Sequence, residues 1–161
     1  MKYRILASPL GNLVLAGDRE GLGWLNFQLG RHAEEPIPEE WEEDETFPLL
    51  RRAAEQLKAY FEGRRRTFSL PLAPAGTPFQ RRVWAELQRI PYGTTISYSA
   101  LAKRAGKPRA IRAAGAANGK NPISIVIPCH RVVGKDGSLT GYGGGLETKW
   151  ALLELEGAHV V

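Results

Sequence analysis

The sequence has few of the residues that usually cross-link or anchor a small protein. Its 161 residues include one cysteine and three histidines, which excludes an internal disulfide and leaves no Cys/His cluster with zinc-ligand spacing. It contains no apolar run of 18 residues and no segment typical of a signal peptide. Because 43% of the residues are hydrophobic, the chain can bury a core without such staples. We therefore expect a cytoplasmic protein with no membrane contact and no metal site.

Acidic residues are almost missing from the middle of the chain. Between Gly63 and Lys135 there are 14 lysines and arginines but one acid, Glu86, whereas eight acids lie together in residues 34–45. A basic stretch of this length favours a polyanionic partner, with nucleic acid the first candidate. The alternative is a solvated surface that keeps a small protein in solution.

The first half of the chain predicts a small α/β unit. The runs at 2–8, 12–18 and 21–27 are short and β-prone, and turn residues separate them, so we predict an antiparallel meander. The acidic segment that follows should be a surface loop that Trp41 holds in place. Apolar residues then recur with helical spacing over 47–62, and Gly63 ends that helix.

The second half predicts several helices. Thr77 is a plausible N-cap with Pro78 at the first helical position, and Ser97 can cap a second helix. A third helix, which includes Arg109, follows a short turn containing Gly106, so the pattern is that of a helix-turn-helix. We place the domain boundary between the two halves, which gives an N-terminal domain at 1–75 and a C-terminal domain at 76–161.

The third helix has an unusual composition. Small residues dominate it, and the long side chains of Arg109 and Arg112 stand among them. A helix this thin can approach another surface closely. The alternative is a tightly packed alanine helix whose arginines are solvated.

The single cysteine, Cys129, stands in the stretch "SIVIPCHRVVGK" with His130 directly after it. A thiol is a useful nucleophile only as the thiolate, so it needs a base or a positive field nearby, which His130 and Arg131 could supply. In an extended chain the side chains of Cys129 and His130 would point to opposite faces. Direct contact would then require a turn after Pro128, or a bridging water.

A carboxylate should orient the imidazole of His130. Glu156 in the last predicted helix is the first candidate and Glu154 is its rival. From the residues alone, an inert buried cysteine that acts as a small hydrophobe stays open as the alternative.

Four segments together carry a resemblance to a known family. They are "TPFQRRVWAELQRIPYGTTISYSALAKRAG", "PRAIRAAGAANGKNP", "PCHRV" and "GYGGGLETKWALLELEG". Their order and spacing resemble the O6-alkylguanine-DNA alkyltransferase family, densely over 77–157 and loosely before it. The resemblance implies an α+β fold, with an N-terminal antiparallel sheet (RNase H-like) and helix, and a mostly helical C-terminal domain that carries a winged-helix-like helix-turn-helix.

The resemblance also implies a reaction and the residues that perform it. The family transfers an alkyl group from O6 of guanine in DNA to its own cysteine, irreversibly and without a cofactor. Carried over to this chain, Cys129 is the acceptor, His130 is a general base that acts through a water, and Glu156 holds the imidazole. Tyr98 matches a donor toward the leaving guanine, and Asn121 matches a residue that braces the active-site turn.

The implied partner is double-stranded DNA that contains O6-alkylguanine, bound by a monomer. The target nucleotide must leave the stack to reach a buried thiol, and in the family the second helix of the motif enters the minor groove. Arg112 matches the arginine that fills the gap, whereas Lys107 and Arg109 are expected at phosphates with Lys103 and Arg104. The expected DNA-binding set is Arg112, Arg109, Ala113, Lys107, Tyr142, Gly143 and Arg131.

Two of these residues would line the guanine pocket. Tyr142 matches a residue that packs along the base. Gly143 stands where many relatives carry a small hydroxyl residue or alanine, so a hydrogen bond to O6 would have to come from backbone N–H groups.

Three other functions compete with this one. A DNA-binding regulator could use the same helix-turn-helix, although no ligand-sensing module is evident. A Cys-His hydrolase would need an oxyanion loop that the sequence does not show. Relatives that lack the acceptor cysteine bind lesions without repair, and the presence of Cys129 argues against that function here.

Overall fold

The computed structural model describes residues 1–28, 35–142 and 144–158. Its N-terminal part is built on three antiparallel strands in which each strand pairs with the next along the chain. They are β1 (Lys2–Leu6), β2 (Leu13–Asp18) and β3 (Gly21–Phe27). The predicted meander is therefore confirmed.

A fourth strand, β4 (Glu42–Glu43), lies in the acidic segment and pairs parallel with β1. The sequence predicted only a loop there, because two consecutive glutamates show no apolar alternation. Polar cross-strand contacts hold the strand instead, with Lys2 Nζ 2.6 Å from a Glu42 carboxylate oxygen. The ring of Trp41 lies against that of Tyr3, with 6.4 Å between centroids, in agreement with its predicted anchoring role.

One helix, α1 (Pro48–Phe61), covers the sheet. Gly63 follows it with φ +76°, a left-handed conformation that favours glycine and ends the helix as predicted. Its buried face is the predicted stripe, and each fully buried leucine there contributes roughly 1.5–3 kcal/mol of burial free energy. That face consists of Leu49, Leu50, Ala53, Ala54, Leu57 and Tyr60.

The C-terminal part is mostly helical. α2 starts at the predicted cap, where the Thr77 hydroxyl accepts from Gln80 N and the Gln80 side chain accepts from Thr77 N. The Ser97 hydroxyl caps α3 by accepting from Ala100 N. The four helices are α2 (Pro78–Leu87), α3 (Tyr98–Arg104), α4 (Ile111–Gly119) and α5 (Leu146–Leu155).

Helices α3 and α4 form the predicted helix-turn-helix, but α4 begins later than predicted. Residues 105–110 form the turn between them, with Gly106 at φ +83° and Ala110 N donating to Lys107 O at 2.9 Å. Arg109 therefore lies in the turn, and Arg112 is on the first turn of α4.

The two halves of the chain meet along β3. Leu25 N donates to Pro122 O at 2.9 Å, and Ser124 N donates to Leu25 O at 2.8 Å. The chain that leads to Cys129 is thus hydrogen-bonded to the N-terminal sheet. After the cysteine, β6 (Val132–Val133) pairs parallel with β5 (Ile96–Ser97).

The architecture is α+β, as predicted. Over residues 1–28, 35–142 and 144–158, no helix has the length and apolar character needed to cross a bilayer.

Candidate active site

Cys129 opens a single turn of 3-10 helix, Cys129–Arg131, directly after Pro128. Cys129 N donates to Ile127 O at 2.8 Å, and Arg131 N donates to Pro128 O at 3.0 Å. The chain is therefore turned here and not extended. In a turn, the side chains of Cys129 and His130 need not point to opposite faces. The cysteine is buried, with 6% of its surface exposed.

Two asparagines brace this turn from inside the protein. Asn121 Nδ2 donates to Ile127 O at 2.7 Å, while Asn121 Oδ1 accepts from Ile123 N at 3.0 Å. Asn118 Nδ2 donates to Cys129 O at 3.4 Å. The same loop holds Ile125 at φ +71°, a strained conformation for a β-branched residue that costs roughly 1–3 kcal/mol. These contacts fix the position of the cysteine backbone.

His130 is completely buried and contacts a carboxylate through one ring nitrogen. Its Nε2 lies 2.8 Å from Glu156 Oε2. Its Nδ1 is buried and has no hydrogen-bond partner within the part of the chain that the structure describes. When Nε2 carries the proton and donates it to Glu156, the lone pair of Nδ1 is left to act as a base.

Glu156 is the C-cap residue of α5 and lies at the centre of a buried cluster. Its oxygens accept from Arg131 Nε and Nη2, each at 2.9 Å, and from the Tyr60 hydroxyl at 2.6 Å. The rival carboxylate, Glu154, is exposed. Glu156 is thus the carboxylate that faces His130.

These contacts determine the charges in the cluster. Burial by itself would raise the pKa of Glu156, but hydrogen bonds from His130 and Arg131 outweigh burial and lower it. Burial lowers the pKa of His130, and its contact with Glu156 opposes that effect only in part. The cluster is therefore an ionised carboxylate beside a neutral imidazole at neutral pH.

The expectation that Arg131 binds DNA needs correction. Only 6% of the residue is exposed, and its third nitrogen, Nη1, donates to Ile90 O at 2.7 Å. The guanidinium is fully engaged inside the protein and does not reach a phosphate. It serves instead as the buried counter-charge of Glu156.

Tyr98 is the first residue of α3. Its hydroxyl oxygen accepts from Thr140 Oγ1 at 2.7 Å. Because Thr140 supplies that proton, the Tyr98 hydroxyl keeps its own proton for another acceptor.

Lys149 in α5 holds the segment that carries Thr140. Its Nζ donates to Val132 O at 2.6 Å and to Thr140 O at 3.0 Å, and lies 6.0 Å from the centre of the Tyr98 ring. Burial lowers the pKa of Lys149 to about 8, although the nearby Cys129 opposes this effect.

Tyr142 lies close enough to Cys129 for the two groups to interact electrostatically. Burial raises the pKa of the Tyr142 hydroxyl, and the neighbouring Cys129 adds to this effect. A Cβ on Gly144 would lie 2.9 Å from the Tyr142 ring, so glycine is required there for the ring to keep its place. Gly143 lies outside the described residues.

The other expected DNA-binding residues lie on the surface of the helix-turn-helix. Lys107, Arg109, Arg112 and Ala113 are all exposed, whereas Ala114 is buried. On the inner side of α4, a Cβ on Gly115 would lie 3.5 Å from the Tyr98 ring. Lys107, Arg109 and Arg112 form the exposed edge of the helix-turn-helix. Helix α4 connects this edge to Tyr98 in the site.

Among the described residues, no three His, Cys, Asp or Glu side chains are grouped so that they could bind a metal ion.

Two family models match the two halves of the chain. A model of the 6-O-methylguanine DNA methyltransferase ribonuclease-like domain matches residues 1–74, and a model of the DNA binding domain of the same enzyme matches residues 78–158. The chain belongs to the 6-O-methylguanine DNA methyltransferase family. The resemblance and the fold class inferred from the sequence are thereby confirmed.

Relatives and solved structures match nearly the whole chain. The methylated-DNA–protein-cysteine methyltransferase of Methanosarcina acetivorans is 51% identical over 158 residues, which is 98% of this chain and 99% of the relative. The methylated-DNA–protein-cysteine methyltransferase of Mycolicibacterium paratuberculosis is 48% identical over 159 residues, which is 99% of this chain and 94% of the relative. The structure of Mycobacterium tuberculosis OGT in complex with DNA superposes with a TM-score of 0.88 at 46% identity, over 98% of this chain and 93% of that one.

Sequence reasoning missed three members of the site. Tyr60 belongs to a buried helical stripe in the N-terminal half, and nothing local indicates a polar partner 96 residues away. Thr140 lies in a glycine-rich segment without periodicity. Lys149 did leave a signal, because it precedes Leu152, Leu153 and Glu156 by three, four and seven residues and so shares their helix face.

Proposed function

We propose that this protein repairs DNA directly, by moving the alkyl group of O6-alkylguanine irreversibly to Sγ of Cys129. Membership of the family over both halves of the chain supports this function. The observation that carries it is the buried Cys129 turn beside the His130–Glu156 pair, whose second imidazole nitrogen has no hydrogen-bond partner among the described residues. The protein would act as a methylated-DNA–[protein]-cysteine S-methyltransferase that turns over once.

The first step is activation of the thiol. His130 Nδ1 takes the Cys129 proton through an intervening water, and Glu156 stabilises the imidazolium that forms. The thiolate then attacks the alkyl carbon, so that the S–C bond forms while the bond from that carbon to O6 breaks. No metal or cofactor is required for a single displacement of this kind.

The second requirement is stabilisation of the leaving guanine. Negative charge spreads from O6 into the ring as the bond breaks, and Tyr98 donates a hydrogen bond to it, at N3 in our proposal. The contact from Thr140 supports this role because it directs the free proton of Tyr98 away from Thr140.

Access to the lesion requires that the nucleotide leaves the duplex. We propose that α4 enters the minor groove, which is about 6 Å wide and accepts only a thin helix. Ala113 and the other small residues of α4 permit that approach, Arg112 occupies the gap in the base stack, and Lys107 and Arg109 bind phosphates. Tyr142 and the backbone at Gly143 would contact the extruded base.

Two further expectations from the sequence belong to this proposal. The domains are 1–75, which supports the fold, and 76–161, which binds DNA and carries the acceptor. The protein acts as a monomer in the cytoplasm, where reducing conditions keep a lone thiol reactive.

The direct test is whole-protein mass spectrometry after incubation with a duplex that contains O6-methylguanine. The mass should rise by one methylene, the increment should map to Cys129, and Cys129→Ser should show no increase. A wild-type protein that binds the lesion tightly but gains no mass would reduce the function to lesion binding.

A further inference from the structure

Tyr60 connects the N-terminal helix α1 to the active site. The residue is fully buried, and its hydroxyl donates to Glu156 Oε2 at 2.6 Å. The same oxygen lies 2.8 Å from His130 Nε2 and 2.9 Å from Arg131 Nη2. A side chain from the half of the protein that does not carry the cysteine therefore contacts the carboxylate that holds the candidate base.

The surroundings of Tyr60 leave its ring little freedom. Aromatic rings lie on several sides of it, with centroid distances of 5.4 Å to Phe61, 5.6 Å to Phe68 and 6.2 Å to Tyr92. The direction of the hydroxyl is thus set by α1 and by this aromatic cluster. Burial raises the pKa of Tyr60, and the charge of Glu156 raises it further, so the phenol stays protonated and always donates.

We propose that Tyr60 is a positioning residue for alkyl transfer, which orients the Glu156 carboxylate and limits its charge toward His130. This inference rests on the proposed role of His130 as the base. Arg131 grips both oxygens of Glu156, whereas Tyr60 contacts only the oxygen that faces His130. Its hydrogen bond therefore acts on the imidazole side of the carboxylate.

The charged and titratable groups around His130 come from three elements. Cys129 and Arg131 flank it on the 3-10 turn, Lys149 and Glu156 approach from α5 and its C-cap, and Tyr60 reaches the cluster from α1. Arg131 and Lys149 disfavour the imidazolium, while Glu156 favours it. Tyr60 takes up part of the charge on Glu156 Oε2 and so weakens the one group that stabilises the imidazolium.

The substitution that tests this is Tyr60→Phe, which keeps the ring and removes one hydroxyl. Tyr92→Phe is the matched control, because the Tyr92 hydroxyl belongs to the same aromatic cluster but bonds to Leu155 O, at 3.3 Å, and not to Glu156. Rates of alkyl transfer should be followed from pH 5 to 9 with methylated duplex and with free O6-benzylguanine. Urea denaturation and DNA affinity should be measured on the same samples.

Tyr60→Phe should slow both reactions by about tenfold, the usual order for loss of one hydrogen bond to a charged group, with unchanged DNA affinity. The rate should fall as the pH drops below the pKa of His130, because the base must be unprotonated. That midpoint should move to higher pH in the variant, because a more negative Glu156 Oε2 raises the pKa of His130. NMR titration of the His130 ring should show the same upward shift. Tyr92→Phe should match the wild type in rate and pH profile.

Two results would overturn the inference while the proposed function stands. One is a Tyr60→Phe protein with the wild-type rate and pH profile, and the other is an equal loss in Tyr92→Phe. A wild-type protein that never acquires the alkyl group would overturn the proposed function, and this inference with it.

Discussion

The buried cluster around Glu156 and the exposed edge of the helix-turn-helix both use arginine side chains, yet they are built differently. In the cluster, Arg131 has every guanidinium nitrogen bonded to protein and is 6% exposed. On the edge, Arg112 and Arg109 are exposed, and the residues around them on α4 are mostly small. The first arrangement fixes a charge in place for chemistry, and the second leaves charges able to adapt to a bound polyanion.

The comparison predicts unequal costs of mutation. Breaking a buried ion pair leaves a charge without compensation, whereas removal of an exposed charge leaves the fold intact. Substitutions in the cluster should therefore lower the free energy of unfolding and the rate of alkyl transfer together. Substitutions on the exposed edge should slow only the reactions that involve DNA.

Glu156→Gln should have the largest effect. Arg131 would keep its charge in the interior without its partner, which costs about 3–5 kcal/mol of unfolding free energy, and His130 would lose the negative charge that stabilises its imidazolium. Urea denaturation and the rate of alkyl transfer measure the two losses. Glu154→Gln, two residues earlier and exposed, is the control and should resemble the wild type in both; similar losses in the two variants would contradict the assigned network.

Arg112→Ala should separate binding from chemistry. Repair of duplex DNA should slow by about tenfold or more, since extrusion of a base costs a few kcal/mol and the arginine would no longer fill the gap. Reaction with free O6-benzylguanine should stay within about twofold of the wild type, because that substrate needs no extrusion. Lys120→Ala removes an exposed cation from the other end of α4 and is the control; equal losses on both substrates would place Arg112 in the pocket instead.

Lys149 should make stability depend on pH in an unusual direction. Its pKa is about 8 in the folded protein and 10.5 in its ordinary state, so between these values the unfolded chain binds more protons. Stability then rises with pH across that window, by up to about 3 kcal/mol. Denaturation of the wild type and of Lys149→Met at pH 7 and pH 10 checks this, and an equal pH dependence in both proteins would contradict it.

Lys107→Ala should have the smallest effect. Loss of one phosphate contact reduces the slope of log affinity against log salt by about 0.9, and no change in stability is expected at an exposed position. Fluorescence anisotropy with duplex DNA over a salt series measures the slope. An unchanged slope would remove Lys107 from the set of phosphate contacts.

The distance along the chain between contacting residues explains what the sequence could predict. The meander, the stripe of α1 and the caps of α2 and α3 depend on neighbouring residues, so local patterns were sufficient. Arg131 was misplaced because an arginine after a candidate nucleophile looks the same whether it faces solvent or a buried carboxylate 25 residues away. The contact between Tyr60 and Glu156 was not predicted, and neither was β4, because the partners are distant in the chain.

The candidate residues of the reaction were found through family resemblance more than through chemistry. From the residues alone, the Cys129–His130 pair stayed ambiguous until the geometry of the backbone after Pro128 was known. The 3-10 turn, which local composition does not specify, is what makes a shared site possible.

The most direct test of the central claim is a count of alkyl groups transferred from duplex DNA labelled in the O6-methyl group and supplied in large excess. The label on protein should saturate at one methyl per chain, all of it on the peptide that contains Cys129, and further DNA should stay unrepaired. Continued removal of methyl groups beyond one per chain, or label on any other residue, would contradict the account.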